Sequence, residues 1–279
     1  EQALEMVFRA RKNGVRFKWV GFDSFYGDNP LFLRQLADNG EVFMGDIHKD
    51  HRIYFKNPKP VVPPPQSNRG KKPTKLRAQT RAIRVDRWID KQSPGAWKRI
   101  EVRDSTKGKL RVDILHREVW VWDGKERQAR KWHLVVRREI DSQAKRKYSL
   151  SNAPSDTSTK RLAFMQAQRY WVERPFQDAK NQCGMGEYQA RGWLAWHHHM
   201  SMVMLAMLFM LEQRLQNQTD IPLLSCGDVT TLLKSVLPRR DISENEILRQ
   251  LGIRHRKRQD SIDFAYGKQQ KYDVLTKEE

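Results

Sequence analysis

Apolar positions along this chain change their spacing several times, and each change predicts a different element. The opening stretch EQALEMVFRARKN (1–13) carries the charged, amphipathic pattern of a helix. VRFKWVGFD (15–23) alternates and then turns apolar, which predicts a strand ending at Asp23. Gly27 and Pro30 bracket a turn, and LFLRQLADNG (31–40) has the spacing of a helix stopped by Asn39–Gly40. EVFMGDI and HRIYF are short strand candidates. Helix and strand in alternation predict an α/β core.

The pattern breaks at NPKPVVPPPQSNRGKKP (57–73), whose prolines and then Gly and Lys exclude regular structure. From about 82 to 150 come short β-like runs: IRVDRWI, WKRIEVR, LRVDILHREVWVW, RKWHLVVRREI and KYSLSN. Lys107–Gly108 and Asp123–Gly124 separate some of them, and Asp-Gly is a strong hairpin signal. After Asn152 the helical period returns. One helix is predicted from a cap at Thr157 or Ser158 to about Cys183, with Gly184 as its stop. A second, apolar helix is predicted over about 193–215, and weaker periodicity marks 228–236 and 243–251. The tail ends in RHRKRQ and a polar terminus expected to fray.

Charge adds what periodicity leaves out. Among 279 residues, 53 Lys+Arg against 33 Asp+Glu leave a net +20. Such a surplus is a standing field for polyanions, and nucleic acid is the expected partner because neutralised phosphates release counterions. Residues 69–147 hold 25 Lys+Arg and 10 Asp+Glu, interleaved with Trp88, Trp97, Trp120, Trp122 and Trp132. These rings are expected to pack the sheet in the main, though one is a candidate to stack on an unpaired base. Only Cys183 and Cys226 are present, which implies neither a disulfide framework nor a four-ligand zinc site and fits a reducing cytosol. The most apolar run, MSMVMLAMLFML (200–211), has 12 residues, too short to span a bilayer and expected to be a buried core helix. No signal-peptide pattern opens the chain, so a cytoplasmic protein without a membrane partner is expected.

QRYWVERPFQDAK (168–180) raises the chemical question. As a helix it lines up Arg169, Glu173, Phe176 and Lys180 on one side, where an apolar stripe is normal. Asp23 stands at the C-terminal end of an apolar strand, where open α/β sheets collect ligands and catalytic groups. A strand-end Asp with a helical Glu suits magnesium, which takes one or two carboxylates and keeps its waters. Two such ions clamp the attacking and leaving oxygens of an in-line displacement at phosphorus. The plainer alternatives are a turn-starting Asp and a solvated helix face with i,i+4 charge pairing. Asp46, His48 and Asp50 form a weaker metal-like set. The histidines at 197–199 point in different directions and are expected to pack or to contact DNA.

VGFDSFYGDNPLFLRQL and RYWVERPFQDAKNQCGMGEYQARGWLAWHHHM together resemble the DDE insertion-sequence transposases with an RNase H-like catalytic core. The narrower resemblance is to the group whose catalytic Glu lies in a Tyr-x2-Arg-x3-Glu-x6-Lys signature. Arg169, Glu173 and Lys180 match that spacing; the Tyr position falls on Gln166, a departure. The resemblance implies Asp23 and Glu173 as catalytic, metal-ligating carboxylates for Mg2+ (or Mn2+), in two ions. It also implies DNA contacts at Arg169, Lys180, Gln166 and Arg174. The implied organisation is a core over 1–56, a basic β-rich insertion over 57–147, the rest of the core over 148–215 and a helical region over 216–279. The implied activity is phosphodiester cleavage at element ends and strand transfer, on double-stranded DNA, by a homodimer. The group's first catalytic Asp sits on an earlier strand, and no Asp precedes Asp23. A chain short of its first core strands is therefore expected, with poor cleavage of its own. The open alternatives are an inactive DNA-binding remnant and an RNase H-like nuclease without strand transfer.

Overall fold

A computed structural model describes residues 2–65, 72–105, 108–140, 145–189, 191–238 and 243–275. Lys107 of the first expected turn, residues 66–71 of the Pro- and Lys-rich stretch and the last four residues lie outside them.

Helix α1 (Gln2–Lys12) precedes strand β1 (Val20–Phe22), which is shorter than the 15–23 alternation predicts. A single turn, α2 (Ser24–Gly27), leads to α3 (Pro30–Asp38), capped by Asn29 at its start. α3 ends as expected, at Asn39 followed by Gly40 at a φ of 73°. β2 (Phe43–Ile47), β3 (Arg52–Ile53) and β4 (Ile83–Arg84) follow.

Residues 85–89, expected to be strand, form helix α4 (Val85–Ile89). Val85, Trp88 and Ile89 are buried, and their i, i+3, i+4 spacing puts all three on one helical face. The long strands then come in sequence: β5 (Lys98–Ser105), β6 (Gly108–Val121), β7 (Arg130–Glu139) and β8 (Arg146–Ser151). The Asp123–Gly124 pair does turn the chain, with Gly124 at a φ of 82°, but inside a longer loop between β6 and β7.

One six-stranded sheet has the order β1-β2-β8-β7-β6-β5. Its β1–β2 pair is parallel and every other neighbour is antiparallel. Residues 57–147, the stretch expected as an insertion, thus supply β5, β6 and β7 to the sheet that carries β1. Alternation along β7 divides the core: Leu134 and Val136 pack with α1, α3 and α4, while Val135 turns to α5 (Thr159–Ala167). The first face gathers Phe22, Phe32, Phe43 and Trp132, with Phe43 and Trp132 edge to face at a ring spacing of 5.2 Å. Trp88 and Trp132 are buried in it and Trp97 packs beside it, so these tryptophans are sheet packing.

The single helix expected from 158 to 183 is two. Ser158 caps α5, which stops at Ala167, and α6 (Tyr170–Gln182) begins three residues later. The bonds that Gln166 and Arg169 make to the sheet prevail there over helix continuity. Gly184, with a φ of 75°, follows α6 as expected.

The chain divides into two compact units, residues 1–177 and 178–279. The second contains α7 (Trp193–Gln216), α8 (Cys226–Val236) and α9 (Glu244–Leu275). Its buried cluster is small: Met210, Cys226 and Val229. The apolar run of α7 predicts a core helix, yet Val203 and Met210 are its buried residues and Leu194, Met204 and Leu205 are exposed. α7 fills the expected 193–215 almost to the residue, and its 24 residues, unlike the 12-residue run alone, are long and apolar enough to cross a membrane, as apolar core helices also are. α9 runs far past the expected 243–251.

Candidate active site

The parallel pair sets the geometry. Its register places Val20 opposite Phe43, Gly21 opposite Met44 and Phe22 opposite Gly45. The next residues are Asp23, just past β1, and Asp46, the last but one of β2, so two carboxylates stand side by side near one carboxyl end of the pair. Two glycines allow this closeness. A Cβ on Gly27 would overlap the carbonyl of Asp46, and one on Gly45 would enter the Phe22 ring. α2 therefore sits directly on the end of β2.

Asp23 is half-buried and caps α2, its Oδ1 accepting the Phe25 N–H at 3.1 Å. That leaves the second carboxylate oxygen outside the cap. Asp46 is held on two sides: Ser149 donates to Oδ1 at 2.7 Å, and Arg169 donates to Oδ2 at 2.5 Å. The other guanidinium nitrogen of Arg169 lies 3.6 Å from Glu173 Oε1. Gln166 extends the line, donating to Ser149 Oγ at 2.8 Å and to the Val135 carbonyl at 3.3 Å. A continuous series thus runs from Gln166 through Ser149, Asp46 and Arg169 to Glu173. It brings the start of α6 to the sheet end where Asp23 stands. A cleft of about 160 Å³ beside β1 is lined by Phe22, Asp46, Gln166, Arg169 and Val172.

The sequence-derived residues fare differently. Glu173 is exposed, with 67% of its side chain accessible, and no bond joins it directly to Asp23 among the described residues. Gln166 is 4% exposed, and its amide nitrogen is engaged inside the protein. It is nearly enclosed, and its bonds place it beneath Asp46. Arg169 spans Asp46 and Glu173 from the junction of α5 and α6. Arg174 is half-buried and engaged with a neighbour, whereas Lys180 is exposed on α6.

Asp46, His48 and Asp50 do not converge. Asp46 turns to Arg169, while His48 Nδ1 meets Asp28, whose other oxygen lies 2.9 Å from His51 Nδ1. Burial pushes the Asp28 carboxyl up, but the hydrogen bonds from His51 and His48 outweigh it and hold the group below its ordinary range. Among the described residues no three His, Cys, Asp or Glu side chains are grouped to hold a metal. His199 lies 3.0 Å from the Gly184 carbonyl and His197 lies against Trp193 and Trp196, so these histidines do separate.

The role of Asp46 as a clasp is what sequence reasoning misses. Its bond to Arg169 crosses 123 positions of chain, and no local spacing encodes such a pairing. The one available signal is a second strand-end Asp after an apolar run.

Residues 1–109 match the family model of the DDE superfamily endonucleases. The matched region contains Asp23 and Asp46 and ends before Glu173. No curated protein matches the chain. The match supports a DDE transposase-type family, a transposase- or nuclease-type function and a DNA substrate; such enzymes typically use divalent metals. A mixed α/β fold with a curled six-stranded sheet and C-terminal helices is consistent with a DDE nuclease-like fold.

Proposed function

We propose, on the premise of the DDE superfamily endonuclease match over residues 1–109, that this chain is an insertion-sequence transposase with an RNase H-like core. It cuts phosphodiester bonds at element ends and transfers the freed 3′ end to target DNA. One observation carries the reading: Asp23 and Asp46 adjoin at the carboxyl end of a parallel pair, and Asp46 reaches Glu173 through Arg169. Asp23 and Glu173 are the metal ligands, Arg169 and Lys180 the phosphate contacts, and a homodimer on double-stranded DNA the working form.

The donor set suits Mg2+ or Mn2+. Both carboxylates are hard oxygen donors within reach of solvent, and such ions use few carboxylates beside waters and phosphate oxygens. When bound, the ions supply charge to stabilise the attacking and leaving oxygens. Arg169 holds Glu173 by charge and, through Asp46, fixes it relative to the sheet. Among the described residues β1 is an edge strand, so its outer side can accept a further strand.

Nicking of supercoiled plasmid with magnesium or manganese tests this. The chain is compared with a longer form carrying such a strand, each with Asp23→Asn or Glu173→Gln. Metal-dependent nicking lost in both variants is the expected result, and equal nicking in Glu173→Gln sinks the assignment. Asp46→Asn, which leaves the ligands in place, is expected to cost about 10–100-fold, as outer-shell changes do. Dependence on terminal repeats separates a transposase from a nuclease without strand transfer.

A second reading, DNA binding without cleavage, is favoured by the lack of a three-ligand metal cluster among the described residues. Salt-sensitive binding without nicking in any form would select it.

A further inference from the structure

α9 is a helix with no buried side chain among its described residues: from Leu251 to Gly267 every one is exposed. At about 100° per residue, Arg254, Lys257 and Arg258 fall on one face. Asp260 and Asp263 fall on another, together with Arg256. Glu246, before the basic flank, is already bonded to Arg249 at 2.7 Å and Gln250 at 3.0 Å, and Asp260, three residues past Lys257, lies further round the helix. No ion pair to Arg254, Lys257 or Arg258 occurs among the described residues. Like charges four apart, as in Arg254 and Arg258, disfavour a helix unless an anion lies across them.

Ile253 lies on the side opposite to the apolar stripe nearest the basic face, and that stripe is interrupted in the middle section. Ile247, Leu248 and Leu251 lie before it and Ile262 and Tyr266 after it. His255 and Arg258 interrupt the stripe between them. A helix lying in a membrane surface needs its apolar face unbroken. A helix on a duplex needs only one basic face, since its partner presents a charge about every 1.7 Å of axis.

We infer that the Arg254–Lys257–Arg258 face of α9 is a docking surface for the phosphate backbone of duplex DNA, formed by residues other than those proposed for cleavage. The inference rests on the reading of DNA as substrate and adds where on the chain part of the affinity resides. It also moves that part away from residues 69–147, where charge alone concentrates it.

The test is fluorescence anisotropy with a labelled random-sequence duplex over a salt series. The full chain is compared with Arg254→Gln/Lys257→Gln/Arg258→Gln, and circular dichroism confirms that helix content is kept. Each phosphate that the protein no longer neutralises should lower the slope of log affinity against log salt by about 0.9, so by about 2–3 for the triple variant. Arg254→Lys/Arg258→Lys should retain the slope, and Asp260→Asn/Asp263→Asn on the other face should not reduce it. An unchanged slope in the triple variant overturns the inference. So does α9-dependent binding to phosphatidylserine vesicles with duplex binding unaffected. No duplex binding by the full chain brings down this inference and the proposed function together. Absent nicking with α9-dependent binding intact brings down only the cleavage.

Discussion

Residues 1–177 and 178–279 contrast in where their apolar side chains go. The first unit buries them on both faces of a six-stranded sheet, with Leu36, Phe43, Leu134 and Leu150 fully enclosed. The second has helices and no strand among its described residues, yet its buried cluster there is three residues and α7 exposes most of a side without Asp, Glu, Lys or Arg from Trp193 to Leu211. Both have regular secondary structure, so hydrogen bonding along the backbone does not distinguish them. What differs is burial, the dominant favourable term in folding. The contrast teaches that the sheet unit holds its candidate carboxylates on a rigid frame. The helices are surfaces first.

The largest effect that can break this comparison is a cavity in the sheet unit. Phe43→Ala removes a ring packed against Phe22 and Trp132 and is expected to cost about 3–5 kcal/mol, read from urea unfolding. An unchanged midpoint would mean that the sheet is not the centre of stability.

Acid gives the next largest effect. His133 is 1% exposed and its Nε2 faces the carbonyls of Ala153 and Pro154 at 3.1 and 3.0 Å, so that nitrogen donates. Its Nδ1 then accepts from His116 Nε2 at 2.9 Å, and His116 Nδ1 accepts from the Thr159 hydroxyl at 2.9 Å. In this arrangement the neutral His116 ring is satisfied at both nitrogens. Burial first, then the electrostatic effect of the neighbouring His133 ring, push His116 from 6.5 down to about 4. The unfolded chain therefore binds the extra proton between those values while the native chain does not. Stability is full above the ordinary histidine range and falls as pH drops toward 4, by at most about 1.4 kcal/mol per pH unit from this group. Urea unfolding over that range, repeated with His116→Asn, should show a flatter pH dependence in the variant.

The smallest effect sharpens the other side. Ser225 caps α8 reciprocally with Asp228, whose carboxylate accepts from Ser225 while Ser225 Oγ accepts the Asp228 N–H at 3.2 Å. Ser225→Ala should cost about 1 kcal/mol. Hydrogen exchange should place that loss in α8 and leave the amides of β7 and β8 unchanged. Equal loosening of the strands would show that the two units unfold as one.

The sequence is legible where one element explains its own pattern. α1, α3 and the strands from 98 to 151 can be read from spacing and turn residues because their burial alternates locally. α4 escapes because VDRWI is rich in strand-forming residues and only tertiary burial makes it helical. α5 and α6 read as one because the bonds that part them, from Gln166 to Ser149 and Arg169 to Asp46, reach across the fold. Asp23 and Glu173 draw attention through position and spacing, but the arginine that ties Glu173 to the sheet is fixed by Asp46, an aspartate that no motif marks. α7 looks like core because composition reports what a helix is made of, and not what covers it.

Gly27 has one more consequence, in heredity. Carboxylates can be exchanged for amides without moving the backbone, so a copy of this gene that loses Asp23 or Glu173 remains one substitution from restoring it. A side chain at position 27 would instead thrust against the carbonyl of Asp46 and lift α2 from the strand end. Among diverging copies, the glycine there should therefore outlast most of its neighbours. Its replacement would mark a lineage in which the geometry, and not merely the chemistry, has been abandoned.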